Sequence, residues 1–580
     1  LHRQRSTSDG HGMFFIALAS DYDGTLAHNG IVTDETVAAL QQLRDSGRKL
    51  ILVTGRELPD LKEVFPHIDL FDKVVAENGA LLYTPASKEE RALAAAPPPE
   101  FVSELEERGV APLSVGRSIV ATWEPHQATV LDVIRKHGLE LEIIFNKGAV
   151  MVLPSGVNKA TGLSEAVAEL QLSMHNVVGI GDAENDHAFL KASGLSVAVD
   201  NAIPAVKETA QLVTRGARGA GVEELTAALI EREAELSAHL GVAIGKEGKE
   251  RPVELMPQEV VLIAGRSGIG KSTLATALTE RFIERKFQFC VFDPEGDYEG
   301  LQGAVTLGDG DTPPQEKQVL ELLRKPSNNI VINTLALQLK ERPDFFARLQ
   351  PEITRLRART ARPHWLIIDE AHHLLPKSRD SQSLSLSREL PGTVLITVHP
   401  DEVAADALAN VTAVLALGPQ AGDVLASFSE AAGIEEPAAV PAPDDDHVLF
   451  WRPASGKAPR AIQVEKPRQS RKRHSRKYAE GELDEGASFY FTGPDGEMKL
   501  RAQNLMIFLQ IAEGIDARTW EHHLRRGDYS GWFRRQLKDE ELADEVAAIE
   551  RDHDLPAKES RKRIAEAVGK RYTAPAKAKE

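Results

Sequence analysis

The chain has 580 residues, 42% of them hydrophobic and 27% charged, and carries a formal net charge of −18. That length exceeds one hydrophobic core and calls for about three domains. The acidic total excludes a protein that coats nucleic acid over its whole surface, though not one with a local basic groove. The single cysteine, Cys290, excludes an internal disulfide, in keeping with a reducing, cytoplasmic setting. No apolar run reaches the roughly 20 residues of a membrane helix, so no membrane partner is expected.

Residues 1–12 read as a tail, and Met13–Ala19 as a buried strand. From 13 to about 230, apolar strands alternate with amphipathic helices, which implies a parallel sheet covered on both faces. Between about 82 and 154 the pattern changes, and an α/β insertion is expected to lie over the core as a cap. Residues 231–253 read as a linker, 254–465 as a second α/β block and 466–485 as a basic linker. Residues 486–580 form a small, mostly helical domain of unassigned role, opened by a hairpin-like pair around Gly493–Gly496. Its Trp520, Tyr529, Trp532 and Phe533 are expected to be core. His522 and His523 are adjacent, so a helix points them apart and they make a poor metal pair.

Chemistry first shows at Asp21 and Asp23, where the first strand ends. Residues two apart share one face of an extended segment, so both carboxylates can enter the crevice beyond the strand's carboxyl end. One can attack phosphorus and become an acyl phosphate. The other can give a proton to the leaving oxygen and later take one from water. Two carboxylates and a phosphate repel, so a divalent cation is needed, and Gly181–Asp186 offers Asp182 and Asp186 as hard oxygen ligands suited to Mg2+. Thr54 brings a hydroxyl and Lys159 a cation for the phosphoryl oxygens. These segments resemble the four motifs of the haloacid dehalogenase-like hydrolases: Asp21–Leu26, Thr54, Lys159 and Gly181–Asp186. Glu77–Ala80, the long insertion and Ala198–Ala210 are similar to the Cof-type, capped branch. The resemblance implies a Rossmann-like core with Asp21 as nucleophile and Asp23 as acid/base. It also implies Mg2+ on Asp21, Asp182 and the Asp23 carbonyl, with Asn185 and Asp186 supporting the metal. In the cap, Arg117, Trp123, His126 and Lys147 can be read as substrate contacts or as plain surface and packing residues.

The second block carries Gly265–Thr273, a strand–loop–helix context in which glycines turn backbone N–H groups around phosphates. Gly265, Ser267, Gly268, Gly270, Lys271, Ser272 and Thr273 are the candidate ATP ligands, with Lys271 on the β/γ-phosphates and Ser272 on Mg2+. Asp369 ends an apolar strand and would reach Mg2+ through water, and Glu370 beside it could polarise an attacking water. Phe292–Tyr298 resembles a segment of HerA/FtsK-like translocating ATPases, with Thr397 as the candidate polar sensor. That resemblance implies a RecA-like P-loop domain and a tendency to form homo-oligomeric rings. Val398 stands where many such ATPases carry glutamine. Arg355–Arg362 is either a source of an arginine finger or a solvated helix face, and the basic stretch Lys466–Lys477 either a phosphate-backbone contact or a linker.

The expected fold class is therefore α/β, with a capped core, a P-loop domain and a small helical domain. The expected protein is a bifunctional enzyme. One half is a Mg2+-dependent phosphomonoesterase for a small organic or sugar phosphate, and the other binds and hydrolyses ATP. Two alternatives are a nucleic-acid end-processing or translocating machine with an attached phosphatase, and a phosphatase–kinase pair.

Overall fold

The computed structural model describes residues 13–248, 251–298, 300–377, 391–441, 447–468, 488–496, 499–537, 539–552 and 554–571. The expected tail at 1–12 and most of the basic linker lie outside these residues. Among the described residues no helix is long and apolar enough to cross a membrane.

The first domain is built on an eight-stranded sheet. Its strands Ala17–Ser20 and Val177–Gly181 run parallel side by side, with Lys49–Val53 on the other flank of the first. All three are buried apart from Lys49. Such continuous apolar runs suit a parallel sheet covered on both faces. The register pairs Ser20 with Ile180 and with Leu52, so Asp21, Asp182 and Thr54 all emerge at one edge.

Two boundaries differ from the sequence reading. Leu81–Thr84 and Glu89–Ala92 continue the core sheet as antiparallel strands, so the cap begins after them and not at 82. The cap is a four-stranded antiparallel sheet bearing helices Pro99–Glu107 and Gln127–His137. Residues 231–253 are not a free linker. Glu233, in a short helix, accepts from the N–H groups of Phe14 (3.1 Å) and Phe15 (2.6 Å) and pairs with Arg48. Val242–Glu247 and Arg251–Leu255 form a hairpin that joins the second sheet through Val464. The charges of its turn conceal its apolar alternation.

The second domain has an eleven-stranded sheet. Parallel strands Val260–Ala264, Thr393–Thr397, Trp365–Ile368 and Phe289–Asp293 stand at its centre. The two sheets meet at the amino ends of their strands. His364, just before the strand leading to Asp369, is buried there. Its Nδ1 accepts from the N–H of Gln288 (2.9 Å), and its Nε2 lies 3.2 Å from Oδ1 of Asn176. Asn176 in turn donates to the Phe14 carbonyl and accepts from the Ile16 N–H, so it ties the strands leading to Asp182 and Asp21. Arg362 donates from the second domain to the Gln171 carbonyl of the first, and the His175 ring packs 4.6 Å from that of Phe287. Neither reading of Arg355–Arg362 survives for two of its arginines. Arg362 is fully buried, and Arg357 donates to the carbonyls of His364, Pro391 and Gly392.

The C-terminal block pairs Phe489–Phe491 with Leu500–Ala502 and packs five helices around Phe508, Trp520, Tyr529 and Phe533. His523 is part of that core, accepting from the Thr492 N–H and facing Asp528, while His522 lies beside Arg526.

Candidate active sites

At the carboxyl edge of the first sheet, carboxylate oxygens of Asp21, Asp182 and Asp186 lie within 4.8 Å of one another, all buried. Lys159 starts a helix whose Asn158 cap accepts from the N–H groups of Ala160 and Thr161. That cap aims the ammonium inward, 2.5 Å from both Asp21 and Asp186. The other oxygen of Asp186 accepts from the N–H groups of Asp182 and Ala183, which fixes the loop. Burial, with the charge of Asp186 behind it, pushes Asp21 up to about 8 against the pull of Lys159. Burial likewise raises Asp182.

Of these three buried carboxylates Asp21 and Asp186 share the buried Lys159 and Asp182 pairs with the half-exposed Lys147, so three anions meet two cations. The buried Oδ1 of Asn185 has no hydrogen-bond partner, while its Nδ2 donates to Asn78. Hard oxygens in excess of cations, with an orphaned amide oxygen beside them, fit a divalent ion such as Mg2+.

Asp23 is placed differently. Its carboxylate lies in a two-pronged pair with Arg56 (2.6 and 2.7 Å), and only its backbone carbonyl faces the cluster, 3.3 Å from Lys147. Arg56 also holds Asp60. Thr54 is buried, its hydroxyl accepting from the Arg56 N–H. A cavity of about 590 Å3 opens above the cluster, lined from below by Asp21, Asp23, Arg56, Lys159 and Asn185 and from the cap by Thr122, Trp123, Asn146 and Lys147. Of the four cap candidates only Trp123 and Lys147 line it. Arg117 pairs with Glu90, and His126 contacts the Ala111 carbonyl. Sequence reasoning passed over Arg56 and Asn78, although both sit inside segments it had singled out, beside Thr54 and within Glu77–Ala80. It also passed over Asn201, which donates to the Gly24 carbonyl (2.8 Å). Glu77 accepts from the N–H groups of Arg117 and Ser118 and so anchors the cap to the core.

In the second domain Gly265–Gly270 links Val260–Ala264 to the helix Lys271–Glu284. Gly268 and Gly270 have φ of 76° and 103°, the left-handed backbone that turns N–H groups inward. Ser267 and Thr273 are exposed and Ser272 partly buried at the mouth of the loop. Lys271 folds back to donate to the carbonyls of Gly265 and Arg266. Asp369 is buried, and burial with the charges of Glu370, Asp297 and Asp293 holds it well above the usual carboxylate range. Glu370 has φ of 43°, and its Oε2 lies 3.5 Å from Nδ1 of His372. The same nitrogen lies 3.1 Å from the Thr397 hydroxyl. His372 thus bonds Thr397 and stands beside Glu370, two residues selected from sequence, though sequence reasoning gave it no weight.

Comparison with known proteins agrees with this geometry. The family model for haloacid dehalogenase-like hydrolase matches residues 18–109 and 132–225, and that for the central domain of the helicase HerA matches 239–386. A phosphoglycolate phosphatase of Methanothermobacter thermautotrophicus is 32% identical over 218 residues, 36% of this chain and 96% of the relative. Phosphoglycolate phosphatase 2 of Saccharolobus solfataricus is 31% identical over 222 residues, covering 36% and 90%. The 5-amino-6-(5-phospho-D-ribitylamino)uracil phosphatase YcsE of Bacillus subtilis is 28% identical over 222 residues, covering 34% and 88%. The chain belongs to the haloacid dehalogenase-like hydrolases through its first domain, and joined to that phosphatase domain is one of the HerA central type.

Proposed function

We propose that the first domain is a Mg2+-dependent phosphomonoesterase for a small organic phosphate, working through a phospho-aspartate at Asp21. The observation that carries this reading is the buried set Asp21, Asp182 and Asp186 around Lys159 beneath the capped cavity. The carboxylate of Asp21 attacks phosphorus, and the ester P–O bond breaks. Asp23 turns off Arg56 and protonates the leaving alcohol. In the second half Asp23 takes a proton from water, whose oxygen attacks phosphorus, releasing inorganic phosphate and free Asp21. Lys159 and the Thr54 hydroxyl hold phosphoryl oxygens. Asp21, Asp182 and the Asp23 carbonyl would hold the ion, with Asn185 and Asp186 behind them. Mg2+ there would supply charge to offset that of carboxylate and phosphate.

We further propose that the second domain binds and hydrolyses ATP. Gly265, Ser267, Gly268, Gly270, Lys271, Ser272 and Thr273 take the phosphates and Mg2+, with Asp369 behind the ion and Glu370 activating water. The position of His372 between Glu370 and Thr397 supports hydrolysis over transfer to an acceptor, because it sets an imidazole beside the carboxylate proposed to activate water.

A panel of phosphorylated metabolites and 5′-phosphorylated oligonucleotides, assayed with and without Mg2+ and ATP, tests both readings. Release of phosphate from small acids or sugars that stops on chelation supports the first. Turnover of oligonucleotide ends alone would overturn it.

A further inference from the structure

The tip of the cap hairpin Leu141–Asn146 and Ala149–Pro154 reaches the acidic cluster of the core. Its turn is Lys147–Gly148, with φ of 49° and 87°. Both central residues of a tight two-residue turn thus take positive φ, where glycine or asparagine is the usual choice. A lysine is strained there, so its side chain calls for a reason. That side chain crosses to the core and sets Nζ 2.8 Å from Oδ2 of Asp182 and 3.3 Å from the Asp23 carbonyl. Gly24 makes room for it. A Cβ on Gly24 would stand 2.9 Å from Nζ and 2.4 Å from Oδ2 of Asp182.

Lys147 therefore uses two of the oxygens that the proposed Mg2+ site needs. A divalent ion on Asp182 competes with the ammonium for Oδ2 and repels it. The other cations lining the cavity already hold two carboxylates each before substrate binds, Arg56 those of Asp23 and Asp60 and Lys159 those of Asp21 and Asp186; unlike either, Lys147 stands on the cap. Lys147 lines the cavity beside Trp123 and Asn146, on its cap side.

We infer that Lys147 is a specificity residue that gives up Asp182 to the metal and then pairs with a second anionic group of the substrate, selecting small phosphomonoesters that carry a carboxylate. This rests on the phosphomonoesterase reading above. It favours a phosphoglycolate-like ester over one with a neutral polyol tail, the two chemistries named for the relatives.

The test uses the full chain with Lys147→Met, which keeps the length of the side chain and removes its charge, and with Lys147→Arg. Calorimetry with MgCl2 alone should show about tenfold tighter binding in the Met variant, the competing ion pair being gone. The ratio of kcat/KM for 2-phosphoglycolate to that for ribose 5-phosphate should fall about 30-fold in the Met variant, mainly through KM, and be largely restored by Arg. Unchanged Mg2+ affinity, or an unchanged ratio in a chain that hydrolyses both esters, overturns the role of Lys147. If the wild type hydrolyses neither ester nor p-nitrophenyl phosphate, it is the phosphomonoesterase reading that fails, and the Mg2+ titration still decides whether Lys147 competes with the ion.

Discussion

The joint between the two domains should be sensitive to acid, and His364 is where the sensitivity resides. Its Nδ1 accepts from the Gln288 N–H, so the ring's proton sits on Nε2 and faces Oδ1 of Asn176. A second proton would set N–H against N–H at Gln288. Burial, then the charges of His175, Arg362 and Arg357, holds His364 well below its usual 6.5. The unfolded chain takes up a proton near 6.5, and the folded chain does not until far lower. Below that point the unfolded state binds more protons, so this contribution to stability is complete above pH 6.5 and is lost as pH falls. Linkage gives about 1.4 kcal/mol of lost stability between pH 7.5 and 5.5 for one such group. His364→Asn keeps an acceptor near the Gln288 N–H and removes the titrating ring. Losing the Asn176 contact should cost it about 1 kcal/mol at pH 7.5. Its stability should then fall about 1.4 kcal/mol less than that of the wild type on going to pH 5.5. His175, also lowered by burial, packs 5.7 Å from His364, so His175→Asn and the double variant complete a cycle that separates its share. Urea unfolding at constant ionic strength, followed by tryptophan fluorescence, measures the difference, Trp365 being stacked on Phe282 next to the joint. Equal pH slopes in the two chains would refute a neutral, buried His364.

Asp21→Asn should lower phosphatase turnover by at least about 10³-fold and leave ATP hydrolysis intact, as phosphate release and ADP formation assayed in parallel would show. Retained phosphatase turnover would move the nucleophile elsewhere. Lys159→Met leaves Asp21 and Asp186 buried without their shared cation and should cost about 3–5 kcal/mol in urea unfolding without Mg2+, with part regained when Mg2+ is added. A loss that Mg2+ does not reduce would argue against an ion in this cluster. Glu370→Gln should bind ATP normally and hydrolyse it about 10² times more slowly. His372→Ala should slow hydrolysis by about ten- to a hundredfold with nucleotide affinity kept, since it loosens Glu370 without touching the phosphate loop.

The parts legible in the sequence are those written in short windows. A parallel strand that ends in a functional loop carries its apolar run and its polar residues consecutively, so Asp21, Lys159, Asp182, Lys271 and Asp369 could be placed from neighbours alone. Long-range pairing was less legible. Leu81–Thr84 and Glu89–Ala92 belong to the core sheet because they pair back onto Lys73–Ala76 and onto each other, and a local reading cannot tell a core hairpin from a cap strand. Val242–Glu247 and Arg251–Leu255 hid behind a lysine- and glutamate-rich turn. Tertiary partners were least legible of all. His372 meets Thr397 across 25 residues, and Lys147 meets Asp182 across 35, with no spacing rule linking them. The resemblance to the haloacid dehalogenase-like hydrolases pointed to Asp21, Asp182 and Asp186, which the fold brings together, yet it did not foretell that Arg56 would hold the Asp23 carboxylate.

The joint bears on how the two chemistries relate. In a parallel sheet the active loops stand at the carboxyl ends of the strands. Here Asn176, Phe14, His364 and Gln288 come together at the amino ends of the strands that lead to Asp182, Asp21, Asp369 and Asp293. Each catalytic edge therefore lies at the far end of its sheet from the shared interface. A product of one site would have to leave into solvent before reaching the other, which counts against a phosphatase–kinase pair that hands its intermediate across. What the two domains do share is packing: Phe14, Phe287 and Trp365 belong to one continuous apolar core. Communication between the sites, where it occurs, runs through that core and the His364–Asn176 contact. A change at Lys271 that alters the phosphatase rate should lose its effect once His364 is replaced.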